Sequence, residues 1–170
     1  GGKSFAASIA MEGKGQITSC DVHAHKTGLI ANGAARLGLH NITARQQDAT
    51  QQVPEWVDAM DVVIADVPCS GLGIIRKKPD IRYKNLDEMK DLPALQLAIL
   101  ENQSAYVKKG GVLLYSTCTV LKAENEDVVN AFLAKHTDFY TEPLDLPEVF
   151  PKNETGMLTL IPGDYDTDGF

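Results

Sequence analysis

Apolar and polar positions along the chain change period repeatedly, and the changes mark out alternating helices and strands. Residues 1–12 open on Gly1-Gly2 and continue as an Ala-rich helical stretch. Residues 16–20 form a short strand closing on Asp21, and residues 23–37 a helix stopped by Gly38. Residues 41–46 form a strand followed by Asp48. Residues 61–65 place Val62, Val63 and Ile64 in a row, the pattern of a strand buried on both faces, and close on Asp66. A long loop covers 67–84. Asn85 with Glu88 three positions on has the form of a capping box. Pro93 suits the first turn of a longer helix. That helix would place Leu92, Leu95, Ile99 and Tyr106 on one face, with Lys108 and Lys109 complementing its dipole and Gly110-Gly111 ending it. Residues 112–115 read as another buried strand, 123–135 as an amphipathic helix and 156–161 as a strand. Pro162-Gly163-Asp164 then turns into a last strand. Residues 141–153, with Pro143, Pro147 and Pro151, are the least regular.

Strands separated by helices predict an α/β fold with a mostly parallel sheet and right-handed crossovers. Asp21, Asp48 and Asp66 would then line one sheet edge, outside the carboxyl ends of the strands, where such sheets take ligands. No repeat, low-complexity run or linker divides the chain, so residues 1–170 read as a single domain. The start at Gly1 without a Met, and the stop at Asp168-Gly169-Phe170 as a strand begins, read as cut ends.

Composition narrows the function. The 170 residues are 44% hydrophobic and 23% charged, which is ordinary globular composition and excludes wholesale disorder. A formal net charge of −7 argues against broad nucleic-acid affinity, which depends on Lys and Arg. No run approaches the ~20 apolar residues of a membrane span, and no basic-then-apolar leader opens the chain. Three cysteines leave no complete disulfide framework, which suits a reducing, cytoplasmic setting.

Each group of candidate residues has two roles. Asp21 is placed to hydrogen-bond ribose hydroxyls, or to cap the helix that follows. Asp48 is placed to orient an adenine, or to close a turn. Asp66 leaves a strand too apolar to be solvated and reads as functional. Gly1-Gly2-Lys3 lets backbone approach a ligand at a helix N-terminus; with Ser4 it also resembles the end of a phosphate-binding loop. Cys20, inside a strand, reads as a small buried hydrophobe. Cys69 follows the stiff Pro68 and precedes the permissive Ser70-Gly71-Leu72-Gly73, while Cys118 follows the 112–115 strand between Thr117 and Thr119. Two thiols just past strand ends suggest covalent chemistry on an electrophile. Residues 76–84 gather five cations (Arg76, Lys77, Lys78, Arg82, Lys84) with Tyr83. Such a run is a solvated loop, or it holds phosphates, stacks a base and favours thiolate nearby.

The motifs Asp66-Val67-Pro68-Cys69-Ser70-Gly71-Leu72-Gly73 and Tyr115-Ser116-Thr117-Cys118-Thr119, followed by Glu124-Asn125-Glu126, resemble those of the S-adenosylmethionine-dependent RNA cytosine-5 methyltransferases. The nearest resemblance is to the Sun/RsmB-like enzymes of bacterial small-subunit (16S) ribosomal RNA, and it covers essentially the whole chain. It implies a Rossmann-like class I methyltransferase fold, with the central first strand, the end of the last strand and the family's N-terminal RNA-binding region absent. It further implies that Gly1, Gly2 and Lys3 contact the methionine end of the cofactor. Asp21 would bind its ribose, Asp48 would lie near its adenine, and Asp66 would stand between cofactor and target base. Cys118 matches the nucleophile and Cys69 the thiol linked to product release. The implied partner is 16S ribosomal RNA, acted on by a cytoplasmic monomer without a metal. Two alternatives stay open: a catalytically incompetent fragment that binds cofactor or RNA, and a phosphate-loop nucleotide hydrolase.

Overall fold

The structure is a computed structural model that describes residues 1–150 and 152–170, with the side chains of Leu86 and Glu88 excepted. It divides into two compact units, Gly1–Gln52 and Val53–Phe170.

The first unit contains α1 (Gly2–Ala10), β1 (Ile17–Asp21), α2 (Ala24–Arg36) and β2 (Ile42–Gln46). β1 and β2 pair in parallel from Ile17↔Ile42 to Asp21↔Gln46. α1 runs antiparallel to both. Ser4, early in α1, meets Ser19 late in β1 (Oγ···Oγ 2.7 Å), and Ser8, later in α1, donates to Asn41 just ahead of β2 (2.5 Å). The first turn of α1 therefore lies at the carboxyl edge of the strands. Because Ser19 turns inward to Ser4, alternation along β1 turns Cys20 outward. Cys20 is exposed, which corrects its expected burial.

The second unit contains β3 (Met60–Asp66), α3 (Leu92–Ser104), β4 (Val107–Ser116) and α4 (Glu126–Lys135). β3 and β4 pair in parallel from Val62↔Val112 to Asp66↔Ser116. Their core joins Val53, Val63, Tyr106 and Val107, with Trp56, Met60, Leu113 and Phe139 packed against it. Neither strand is buried on both faces. Val63 and Ala65 face inward, while Val62, Ile64, Val112 and Leu114 are exposed. Among the described residues no helix is long and apolar enough to cross a membrane.

Four boundaries depart from the sequence pattern. α3 stops at Ser104 because Tyr106 is a core residue. Its hydroxyl accepts the Val53 N–H at 2.9 Å, and its ring meets Trp56 edge-on. Lys108 to Gly111 consequently bulge within β4 instead of ending a helix, and Lys108 pairs with Asp61 at 2.9 Å. On α3 Ile99 is buried as expected, together with Leu100 and Gln96, whereas Leu95 is exposed. The predicted 123–135 helix is a 3-10 turn over Lys122–Glu124 followed by α4. Asn85 caps only a short 3-10 turn, accepting the Asp87 N–H, and the Glu88 half of the expected capping box lies outside the described residues, as does Pro151. Residues 156–161 do not form a strand. Leu160 and Phe170 exchange two backbone hydrogen bonds across the Pro162-Gly163-Asp164 turn.

Candidate active site

The two cysteine motifs meet where β3 and β4 end. β3 and β4 pair through Asp66↔Ser116, and Val67 N–H then donates to the Ser116 carbonyl at 3.2 Å, so the chains leave the ladder side by side. This brings Cys69 Sγ to 3.1 Å from Cys118 Sγ, and the Cys118 N–H points at Cys69 Sγ from 3.2 Å. Both cysteines are half-buried and unbridged. The contact with Cys118, reinforced by burial, pushes the Cys69 thiol far above the usual thiol range. Either sulfur can donate in this contact. Asp66 is exposed at the end of β3, beside this turn.

Tight backbone packing shapes the Cys69 loop. Gly71 lies in the left-handed region (φ +77°), which glycine adopts without strain. Gly73 abuts residue 169 so closely that a Cβ would sit 2.2 Å from the Gly169 carbonyl oxygen. Gly73 N–H also donates to the Cys118 carbonyl at 3.1 Å, tying one cysteine loop to the other.

Beneath the thiols lies a buried polar layer that sequence reading missed. Glu124, 2% exposed, accepts the Ser70 N–H at 2.9 Å and Gln96 Nε2 at 2.8 Å; Gln96 also donates to the Pro68 carbonyl at 2.9 Å. The Glu124 backbone carbonyl accepts Tyr115 O–H at 2.6 Å. Burial, with the Glu124 charge nearby, holds the Tyr115 hydroxyl protonated well beyond its usual range. Asn125 receives Thr117 O–H (2.7 Å) and donates to the Thr119 carbonyl (3.0 Å). These inward contacts are why the predicted helix breaks at residues 124–125. A polar trio embedded in apolar periodicity was the available signal, but periodicity alone gives it no direction.

Replacing Glu124 with alanine strands two buried donors. We expect a loss of about 2–6 kcal/mol, from about 1–3 for each unsatisfied donor, read by thermal melting as a Tm lowered by roughly 4–24 °C. Glu124→Gln retains an acceptor and should lose about 1–2 kcal/mol. An alanine variant within 1 °C of wild type would show that the carboxylate carries no such load.

The basic stretch is largely spoken for. Lys77 (2.6 Å) and Arg76 (3.4 Å) both reach Asp168, which is 3% exposed, and Lys77 holds that carboxyl below its usual range. Lys84 donates to the Ser70 carbonyl at 3.1 Å. Three of the five cations therefore fasten the Cys69 loop to its surroundings. Tyr83 is 85% exposed.

In the first unit, the antiparallel course of α1 gathers Gly1, Gly2 and Lys3 at the same strand edge as Asp21 and Asp48. Asp21 Oδ1 accepts the His23 N–H at 2.9 Å and Oδ2 lies 3.6 Å from Lys26 Nζ, so it shapes the turn into α2 while His23 occupies the N-cap. Asp48 Oδ1 accepts both the N–H (2.9 Å) and the hydroxyl (2.7 Å) of Thr50, which hold its carboxyl below the ordinary range. That geometry realises the turn role. Around Gly2 the space a side chain would take is open.

Known proteins resemble this chain in sequence and in fold. The chain is 43% identical over 176 residues to the Bacillus subtilis protein named "Probable ribosomal RNA small subunit methyltransferase B", covering all of this chain and 39% of that one. It superposes on the crystal structure of PH0851 with a TM-score of 0.91 at 32% identity, over 99% of this chain and 38% of the other. It superposes on NSun6 from Pyrococcus horikoshii, solved with SFG, with a TM-score of 0.80 at 25% identity, over 99% and 43%. The chain thus spans about two fifths of the length of these relatives, and the fold it shares with the solved structures is Rossmann-like. The match extends over Gly1 to Ser4 and sets aside the phosphate-loop alternative. Residues 1–170 in full match the family described as 16S rRNA methyltransferase RsmB/F, and the chain belongs to that family.

Proposed function

We propose that this chain is the catalytic part of an enzyme that methylates carbon 5 of a cytosine in 16S ribosomal RNA. The donor is S-adenosylmethionine, and Cys118 is the covalent nucleophile. The observation that carries the proposal is the pair of thiols 3.1 Å apart where two parallel strands end. Family membership supports the RNA substrate and the methyl chemistry. A relative solved with SFG, an analogue of that donor, supports the cofactor.

The residues of the first unit fit such a cofactor. The half-exposed Asp21 carboxylate at the end of β1 suits a ribose diol. The open space around Gly2, at the N-terminus of α1, admits a charged ligand end close to backbone N–H groups. Gly1, Lys3 and Asp48 complete this edge. When bound, S-adenosylmethionine supplies an electrophilic methyl group.

The chain's own residues answer the difficulty that cytosine carbon 5 is a poor nucleophile. Cys118 Sγ adds at carbon 6, and the new C–S bond makes carbon 5 enamine-like. Cys69, holding its proton, donates to Cys118 and favours its thiolate. After carbon 5 is methylated a solvent base takes its proton, the C–S electron pair leaves with Cys118 as thiolate and the ring regains aromaticity. Cys69 assists this departure by donating its S–H to the leaving sulfur. Asp66 places a polar group where charge develops on the ring. The target base has to leave its stack to reach these groups, and the exposed Tyr83 ring offers a surface for stacking.

Incubating the full-length protein with methyl-labelled S-adenosylmethionine and unmethylated 16S ribosomal RNA should place the label in 5-methylcytidine on nucleoside mass spectrometry. Label recovered only in another nucleoside would overturn the carbon 5 assignment.

A further inference from the structure

Each thiol is followed in sequence by a hydroxyl residue, and the two hydroxyls meet. Ser70 follows Cys69, Thr119 follows Cys118, and their Oγ atoms lie 2.8 Å apart. Both residues are fully buried, at 0% exposure, so neither hydroxyl can touch a substrate. Around them every neighbouring link is also internal. Ser70 N–H goes to Glu124, Thr119 Oγ1 accepts the Leu121 N–H at 3.3 Å, and the Thr119 carbonyl takes Asn125 Nδ2.

The thiols themselves are poorly fixed by comparison. A thiol is a weak donor and a weak acceptor, so the contacts of the two sulfurs with each other hold them only weakly. A hydroxyl pair closed off from water is the stronger and more directional link, and it lies one residue behind the sulfurs. Backbone links hold the two loops near each other: Gly73 N–H to the Cys118 carbonyl, Ser70 N–H to Glu124 and Gln96 to the Pro68 carbonyl. The hydroxyl pair ties the residue behind one sulfur to the residue behind the other. Release needs both sulfurs in contact, so loss of the hydroxyl pair falls on that step.

We propose that Ser70 and Thr119 form a positioning clasp that keeps Cys69 Sγ within reach of Cys118 Sγ, and so sets the rate of product release rather than of adduct formation. The proposal rests on the reading above, in which Cys118 bonds the base and Cys69 assists its departure.

The test uses Thr119→Val in the full-length protein, a change that keeps the shape and removes the hydroxyl. Single-turnover methyl transfer should stay within about threefold of wild type, while steady-state turnover falls about tenfold, the worth of one such hydrogen bond. Protein-bound RNA should accumulate on a denaturing gel. Thr119→Ser, which restores the hydroxyl, should restore release. Should the valine variant fail to fold, Ser70→Ala makes the same cut from the other side and is read in the same way. Wild-type turnover in these variants, or equal loss of both rates without retained RNA, overturns the clasp. Cys69→Ala is the reference. If it retains RNA and the clasp variants do not, the clasp alone is wrong. If it retains none, the assignment of Cys69 to release falls, and the clasp falls with it.

Discussion

Replacing Cys118 with alanine should abolish methylation of 16S ribosomal RNA, lowering the rate on the order of 10⁴-fold or more. The size of the effect follows from the chemistry. Without a sulfur at carbon 6, carbon 5 never becomes enamine-like, and positioning a methyl donor beside an unactivated ring recovers little. The structure makes the substitution a clean one. The half-buried side chain is small, and the backbone links at this position, N–H to Cys69 Sγ and carbonyl to Gly73 N–H, do not require the Cys118 thiol. Melting temperature and binding of S-adenosylmethionine should therefore hold while incorporation of labelled methyl groups is lost. Substantial labelling by the alanine variant would remove Cys118 from the role of nucleophile.

What the sequence made legible is the chemistry at strand ends. The apolar runs before Asp66 (Val62-Val63-Ile64) and Cys118 (Val112 to Tyr115) are short and followed by turn-forming residues, so the ends of β3 and β4 are visible without a structure. The meeting of Cys69 and Cys118 follows once these two strands are neighbours. Less legible was everything that faces the thiols from below. Gln96 occupies the position that apolar periodicity gives to core residues, and Leu95 beside it turns outward. Periodicity places Ile99 correctly, but it assumes a wholly apolar interior, whereas beside Ile99 and Leu100 the interior under the thiols holds the Gln96–Glu124 hydrogen bond. For the same reason a helix-forming run was read through Glu124 and Asn125, although both are bent inward to serve the cysteine loops. The basic stretch misled in the opposite direction. Its charges suggest phosphate binding, yet Asp168, distant in sequence, engages Arg76 and Lys77, a pairing that local composition cannot reveal.

Removal of the other thiol should have a different signature. Cys69→Ala keeps the attacking sulfur and takes from the carbon 6 addition only the contact that favours its thiolate, so the first methyl transfer should proceed within about tenfold of wild type. Release is the step that loses its partner, and multiple turnover should fall on the order of 10³-fold, the scale of a lost positioned proton-transfer group. The RNA should then remain bound to protein through denaturation, as a slowly migrating band that disappears in the Cys69→Ala, Cys118→Ala double variant. The two cysteines are nearly symmetric in contact, 3.1 Å apart and each one residue before a buried hydroxyl. The proposed function separates them by role, with Cys69 as the S–H partner of the attacking sulfur. The raised proton affinity of Cys69, caused first by its bond to Cys118 and then by burial, agrees with that role. If Cys118→Ala retained RNA and Cys69→Ala did not, the roles would be exchanged. If neither retained RNA and Cys69→Ala turned over normally, Cys69 would be a packing residue and release would rest with Cys118 alone.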